Sequence, residues 1–411
     1  AKKILLWFLT LIFIAAASVF AWVWFTDSDK RDPFTVIPDD AIFIIETNEM
    51  TKGWNTLNQS RIWNHLLYNE YFDDINKSAL TLDSIINGNK VLDMLMSDRK
   101  LLVSAHLIEK NDYDFLFVVD LKQASKISFI IDYIKEITGV FGYAFAKKDF
   151  QKNDVIVLTD NKTKEELYIS FVDNILICSY SEHILQNSIL CSINNYWHDN
   201  KSFLLVKNEM NSRQLFNFYF NYDKLNDYIN CFVQKEDEML KVLGNTLAYS
   251  ALNFYFEEER LSLIGYTNLK DTVQSYLHAL LNVEPGTIRA YEILSSQTAL
   301  YLSMSFDDFL DFRDNLESEF AAEDTVNHIN YAKNVAKIER LLKINVEEDF
   351  FNWIGSEIVF SKMRPAANSR EEDMVVAIHA RDTLLAKKGL NNIITQIKRR
   401  TPVKFEAVDY K

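Results

Sequence analysis

Residues 4–25 (ILLWFLTLIFIAAASVFAWVWF) form an unbroken apolar run without one charged side chain. As a helix rising about 1.5 Å per residue, such a run spans a bilayer core of roughly 30 Å. The expectation that follows is one membrane anchor carrying a large water-exposed body. Ile4, Trp7, Phe13 and Phe20 lie along the run, and Trp22, Trp24 and Phe25 close it where an interfacial aromatic belt belongs.

A cleaved signal peptide competes with this reading. Lys2 and Lys3 make a positive n-region, and Ala15, Ala16 and Ala17 offer small residues for cleavage. The run continues past those alanines to Phe25, which favours a retained anchor. Lys2 and Lys3 before it nearly balance Lys30 and Arg31 after it. A short N-terminal tail, together with Asp27, Asp29 and Asp32, favours export of the body. The expected place is the inner membrane of a Gram-negative cell, crossed once, with the body in the periplasm and membrane lipid as a partner of the N-terminal helix.

The body is long enough for two to three domains of about 150 residues. An apolar share of 48% and an aromatic share of 13% belong to a chain with real cores. The net charge of −14 disfavours nucleic acid and anionic lipid surfaces as general partners, and no nucleic acid is expected to bind. Cys178, Cys191 and Cys231 have no CxxC spacing and are expected to be buried and reduced.

Along the chain, 26–38 is a polar linker. Strands are expected over 41–46, 101–108, 114–120, 143–146, 155–159, 167–172 and 175–179. Helices are expected after Asn48 and over 80–96, 125–138 and 181–196. A connecting α+β segment, 200–296, holds the aromatic strand 215–222 and a hairpin, 247–256 with 261–267. Residues 297–411 repeat 39–199 in part, at an offset of about 257 to 260 residues. The pairs are ALYLSM at 299–304 with AIFIIE at 41–46, and DMVVAIH at 373–379 with DFLFVVD at 114–120. The repeat stops early, so the natural chain is expected to run on past Lys411. The fold class expected is α+β: an N-terminal transmembrane helix, then a duplicated, mostly antiparallel sheet-and-helix domain.

No defensible catalytic motif occurs. The seven histidines make no HExxH or other metal spacing, and there is no P-loop, GxGxxG or GxSxG. His106 and His379, near strand ends, are expected to be satisfied core histidines. Asp307, Asp308, Asp311, Asp314 and Glu317 mark a solvated helix face, and Lys398, Arg399 and Arg400 meet a helix C-terminus. No metal and no cofactor are expected. Phe216, Phe218 and Phe220 share one face of a strand, with Tyr219 on the other. A core strand and a strip facing lipid or a partner both fit that alternation.

The stretch Ile37-Pro38-Asp39-Asp40-Ala41-Ile42-Phe43-Ile44-Ile45-Glu46-Thr47, the Trp54 helix and 99–106 (RKLLVSAH) resemble a family of single-anchor bacterial envelope proteins carrying a domain of unknown function. The resemblance implies location and repeat architecture, and it carries no activity and no site residues. The function expected is non-enzymatic: an accessory or scaffold subunit of an envelope assembly, in contact with other envelope or membrane proteins. The alternative is a binding module or chaperone for a lipid or an exported polypeptide.

Overall fold

The computed structural model describes residues 31–68, 99–110, 112–122, 131–132, 134–135, 138, 142–193, 196–211, 214–232, 238–256, 260–271, 276–323, 325–364 and 374–401. They form two compact units that divide between Lys270 and Asp271.

The first unit is built on one antiparallel sheet of ten strands. In chain order these are β1 (Phe43–Thr47), β2 (Leu101–Glu109), β3 (Asp112–Asp120), β4 (Tyr143–Phe150) and β5 (Asn153–Asp160). They continue with β6 (Glu166–Val172), β7 (Ile175–Ser179), β8 (Phe216–Asn221), β9 (Leu247–Phe256) and β10 (Leu261–Leu269). Their order across the sheet is β10-β9-β8-β1-β2-β3-β7-β6-β5-β4. Helices α1 (Met50–Asn58), α2 (Arg61–Leu66), α3 (Glu182–Cys191), α4 (Tyr196–Asp199), α5 (Lys201–Lys207), α6 (Leu225–Ile229) and α7 (Glu238–Thr246) complete the unit.

Alternation decides the core. Ile44, Leu102, Leu116, Val118, Ile175 and Ile177 all face one side and are fully buried beneath α3, α4, α5 and the 3-10 turn Pro33–Val36. Ser181 caps α3 by accepting from the Ile184 N–H, and Asn200 caps α5 by accepting from the Phe203 N–H. Those caps aim Ile184, Leu185, Phe203 and Val206 at the sheet. Arg31 ties the start of this layer down, with its Nε 2.8 Å from Asp173 and its backbone N–H donating to Asn174 Oδ1.

The second unit holds a three-stranded antiparallel sheet, β11 (Thr298–Ser305), β12 (Ile354–Met363) and β13 (Met374–Ala380), in that order. Helices α8 (Tyr276–Leu281), α9 (Phe309–Glu323), α10 (Thr325–Leu342), α11 (Val346–Asp349) and α12 (Thr383–Arg400) belong to it. Its core gathers Phe306, Phe309, Phe312, Trp353, Ile354 and Ala386. Asp382 caps α12 by accepting from the Leu384 and Leu385 N–H groups, and Lys398, Arg399 and Arg400 sit in its last turn. At Gly389 of α12 a β-carbon would collide with the Asp349 carbonyl oxygen. Gly389→Ala is therefore expected to weaken this unit by about 1–3 kcal/mol. The neighbouring exposed Lys388→Ala should stay within about 0.5 kcal/mol of wild type in the same thermal melts. Equal melts for the two variants would contradict the close approach.

Four expectations are corrected. Among the described residues no helix is long and apolar enough to cross a membrane, and the structure gives the transmembrane helix of the expected fold class no support. The longest described helices, α10 and α12, have 18 residues each and carry Lys333, Lys337 and Arg340 or Lys387, Lys388 and Lys398, which hydrocarbon does not accept. Ile4, Trp7, Phe13, Phe20, Trp22, Trp24 and Phe25 lie outside the described residues, as do 80–96 and 402–411. Second, 200–296 is not a connector: β8, β9 and β10 are a third of the first unit's sheet pairing, because their exposed backbone groups complete the ladder from β1. Third, the order strand, helices, strand, strand occurs three times among the described residues, as β1-β2-β3, β8-β9-β10 and β11-β12-β13, instead of twice. Fourth, the helix expected after Asn48 breaks, because Ser60 accepts from the Trp63 N–H and starts α2.

Candidate functional site

The strand FNFYFN of β8 is turned against the usual rule. Its asparagines, Asn217 and Asn221, and Tyr219 are buried, while Phe216, Phe218 and Phe220 keep part of their surface in solvent. Pairing carries the pattern sideways. Phe43 lies opposite Phe220, Ile45 opposite Phe218, and Phe218 opposite Leu252. Ring centroids of Phe43 and Phe218 are 5.6 Å apart, those of Phe218 and Phe254 6.2 Å, and those of Phe216 and Phe256 5.7 Å. Tyr228 of α6 meets Phe43 edge-on at 5.9 Å, and Phe115 continues the layer on β3. The result is an aromatic surface across the middle strands, half-buried throughout, on the face opposite the main core.

Behind it the polar side chains are satisfied. Glu46, 4% exposed, accepts from Lys100 Nζ at 2.6 Å, from Asn217 Nδ2 at 3.1 Å and from the Tyr219 hydroxyl at 2.7 Å. Asn217 Oδ1 in turn accepts from Asn253 Nδ2 at 2.6 Å. Burial pushes the Glu46 carboxyl upward, but the Lys100 charge and these hydrogen bonds outweigh it and hold it below the usual carboxylate range. The Tyr219 hydroxyl is pushed far up by burial and then by the Glu46 charge, so it stays a donor. Lys207 sits 3.6 Å over the Phe34 ring, and burial lowers its ammonium.

A second cluster has the outline of a hydrolytic triad. His106 Nδ1 is 2.7 Å from Asp40 Oδ1, and its Nε2 is 2.8 Å from Ser104 Oγ. Burial raises the Asp40 carboxyl, yet the hydrogen bond and charge of His106 and the charge of Lys224 bring it below its ordinary value. An ionised Asp40 takes the Nδ1–H, leaving Nε2 to accept from the Ser104 hydroxyl. Geometry alone does not make a catalyst. Ser104 is 0% and His106 1% exposed, both on the core face of β2, so no substrate carbonyl reaches Oγ. The cluster pins β2 to the turn before β1. It is a satisfied core histidine, as its position near a strand end leads one to expect.

His379 departs from the expected core histidine: it lies in β13 but is exposed, with its Nδ1 accepting from the Ser356 N–H at 3.2 Å. Cys178, Cys191 and Cys231 are all unpaired by disulfides, and burial pushes the Cys178 thiol up to about 12. Among the described residues no group of three or more His, Cys, Asp or Glu side chains could hold a metal ion.

Of the residues singled out from sequence, Phe216, Phe218 and Phe220 come together on one surface with partners that local reading missed. Phe43, Phe115 and Phe254 join them only because β1, β3 and β9 are near neighbours in the sheet. Alternation within each strand marks their side; nothing in the order of the chain marks which strands meet. No family model matches this chain, and no curated protein and no solved structure matches it either.

Proposed function

We propose that the protein is a non-enzymatic binding subunit that holds an apolar segment of a partner polypeptide on the aromatic surface of β1, β3, β8 and β9. The observation that carries this is the reversed strand β8, with its phenyl groups partly exposed and its amides buried. Leaving part of each ring exposed forgoes a fraction of the roughly 1.5–3 kcal/mol that full burial of such a side chain supplies. Rings kept in one exposed layer are the usual currency of recognition surfaces. A polypeptide is favoured over a lipid bilayer because a net charge of −14 is repelled by anionic headgroups. The resemblance of residues 37–47 and 99–106 to envelope proteins supports an accessory role in an envelope assembly, which protease treatment of spheroplasts tests.

The binding test uses a permanently unfolded, carboxymethylated polypeptide with a fluorescent label, titrated with the full chain and followed by anisotropy. Phe218→Ser and Phe254→Ser are each expected to weaken binding by about tenfold or more. Circular dichroism shows whether each variant is folded. Binding by uncharged phosphatidylcholine vesicles but not by the polypeptide would replace this reading with a lipid carrier. Binding to neither, or binding indifferent to both substitutions, would remove it.

A further inference from the structure

The three copies of the strand, helices, strand, strand order differ in what meets their first strand. In the first unit β1 and β8 are those first strands, and they pair with each other antiparallel, Ile45 opposite Phe218. From that pair the sheet runs outward in the same way on both sides, Ile45 to Val103 to Phe117 and Phe218 to Leu252 to Gly265. The two copies are thus related by a local twofold between β1 and β8.

The third copy has the same cross-strand row, Leu302 to Phe360 to Val376. By its place in that cross-strand row Leu302 stands where Ile45 stands, one residue along from the pairing of 299–304 with 41–46. Among the described residues no strand pairs with the outer edge of β11. Leu300, Tyr301 and Leu302 are 56%, 44% and 46% exposed. The strand TALYLSMS contains no charge and no proline, the devices that natural sheets place on a solvent edge. The outer strand β4 of the first unit has such protection in Lys147, Lys148 and Asp149.

We infer that β11 is the interface of a homodimer, pairing antiparallel with β11 of a second copy about a true twofold at Leu302. The occupant is a second copy because the fold already joins two such first strands in this way once. A twofold also makes the surface self-complementary, with Leu300 opposite the other copy's Met304 and Tyr301 opposite its Ser303. The product is a continuous sheet in the order β13-β12-β11-β11-β12-β13. It pairs the free backbone groups of β11 and brings Leu302 against its own counterpart.

The test uses the full chain in sedimentation equilibrium. Wild type is expected at twice the chain mass, and Leu302→Lys, which sets two like charges face to face, should raise the dimer dissociation constant by about 100-fold or more. A second variant guards against misfolding. Opposed residues in antiparallel strands have Cα atoms about 4.5–5.5 Å apart, within the span of a disulfide. Leu302→Cys should therefore form a disulfide-linked dimer under mild oxidation, whereas Tyr266→Cys on the β10 edge and wild type should not. A monomeric wild type at every concentration would overturn the inference. So would a dimer that Leu302→Lys leaves intact, or crosslinking through Tyr266→Cys in place of Leu302→Cys.

Discussion

Phe203→Ala is expected to destabilise the first unit by about 3–5 kcal/mol, among the largest losses a single truncation can cause. Phe203 is 0% exposed and stands at the centre of an aromatic cluster. Its ring centroid lies 4.8 Å from that of Trp197, 5.5 Å from Tyr219, and 5.8 Å from both Phe34 and Tyr249. These partners come from α4, β8, the Pro33–Val36 turn and β9, so no single element can collapse into the space left behind. Trp197 is further fixed by its indole N–H, which donates to the Ile37 carbonyl at 3.0 Å. The cavity term therefore adds nearly in full to the lost transfer free energy. Urea unfolding followed by tryptophan fluorescence measures it, with Phe203→Leu as a milder companion. A shift under about 1 kcal/mol at unchanged slope would mean that the site repacks and that the cluster is not the keystone described.

Glu46→Ala should cost a similar amount by a different route. Removing the carboxylate strands the Lys100 ammonium, the Tyr219 hydroxyl and the Asn217 amide without their common acceptor. Breaking one side of a buried charge network costs about 3–5 kcal/mol, because the remaining groups keep their desolvation penalty. Glu46→Gln keeps the shape and tests the charge. The folded-state carboxyl titrates below its ordinary value, so it stabilises the fold at pH above the unfolded value of about 4.3. That contribution is lost as pH falls through the lower folded value. The stability of Glu46→Gln should accordingly fall less steeply than that of wild type below about pH 4. Parallel acid limbs for the two proteins would show that Glu46 is not ionised in the folded state.

Much of the fold was legible in advance because it is local. Period-two alternation placed the strands of 143–179, and Asp173, with φ of +53°, makes the tight turn between β6 and β7. Periodicity and capping placed the start of α3, and Lys398, Arg399 and Arg400 marked the end of α12. The candidate site was half legible: the common side of Phe216, Phe218 and Phe220 follows from spacing alone. The buried contact of Tyr219 with Glu46 bridges a separation of 173 residues, which no local pattern encodes.

By itself the sequence determined most strands of 41–179 and their apolar sides, and it suggested the correspondence of 297–411 with the start of the body. Only the tertiary structure decided that β8 joins β1, that the amide side of β8 is the buried one, and that the β8-β9-β10 copy of the motif extends the large sheet. The reason is that alternation distinguishes two faces of a strand without saying which is covered. When one face offers phenyls and the other a tyrosine and asparagines, the choice rests with distant groups, and here the Glu46 carboxylate makes it.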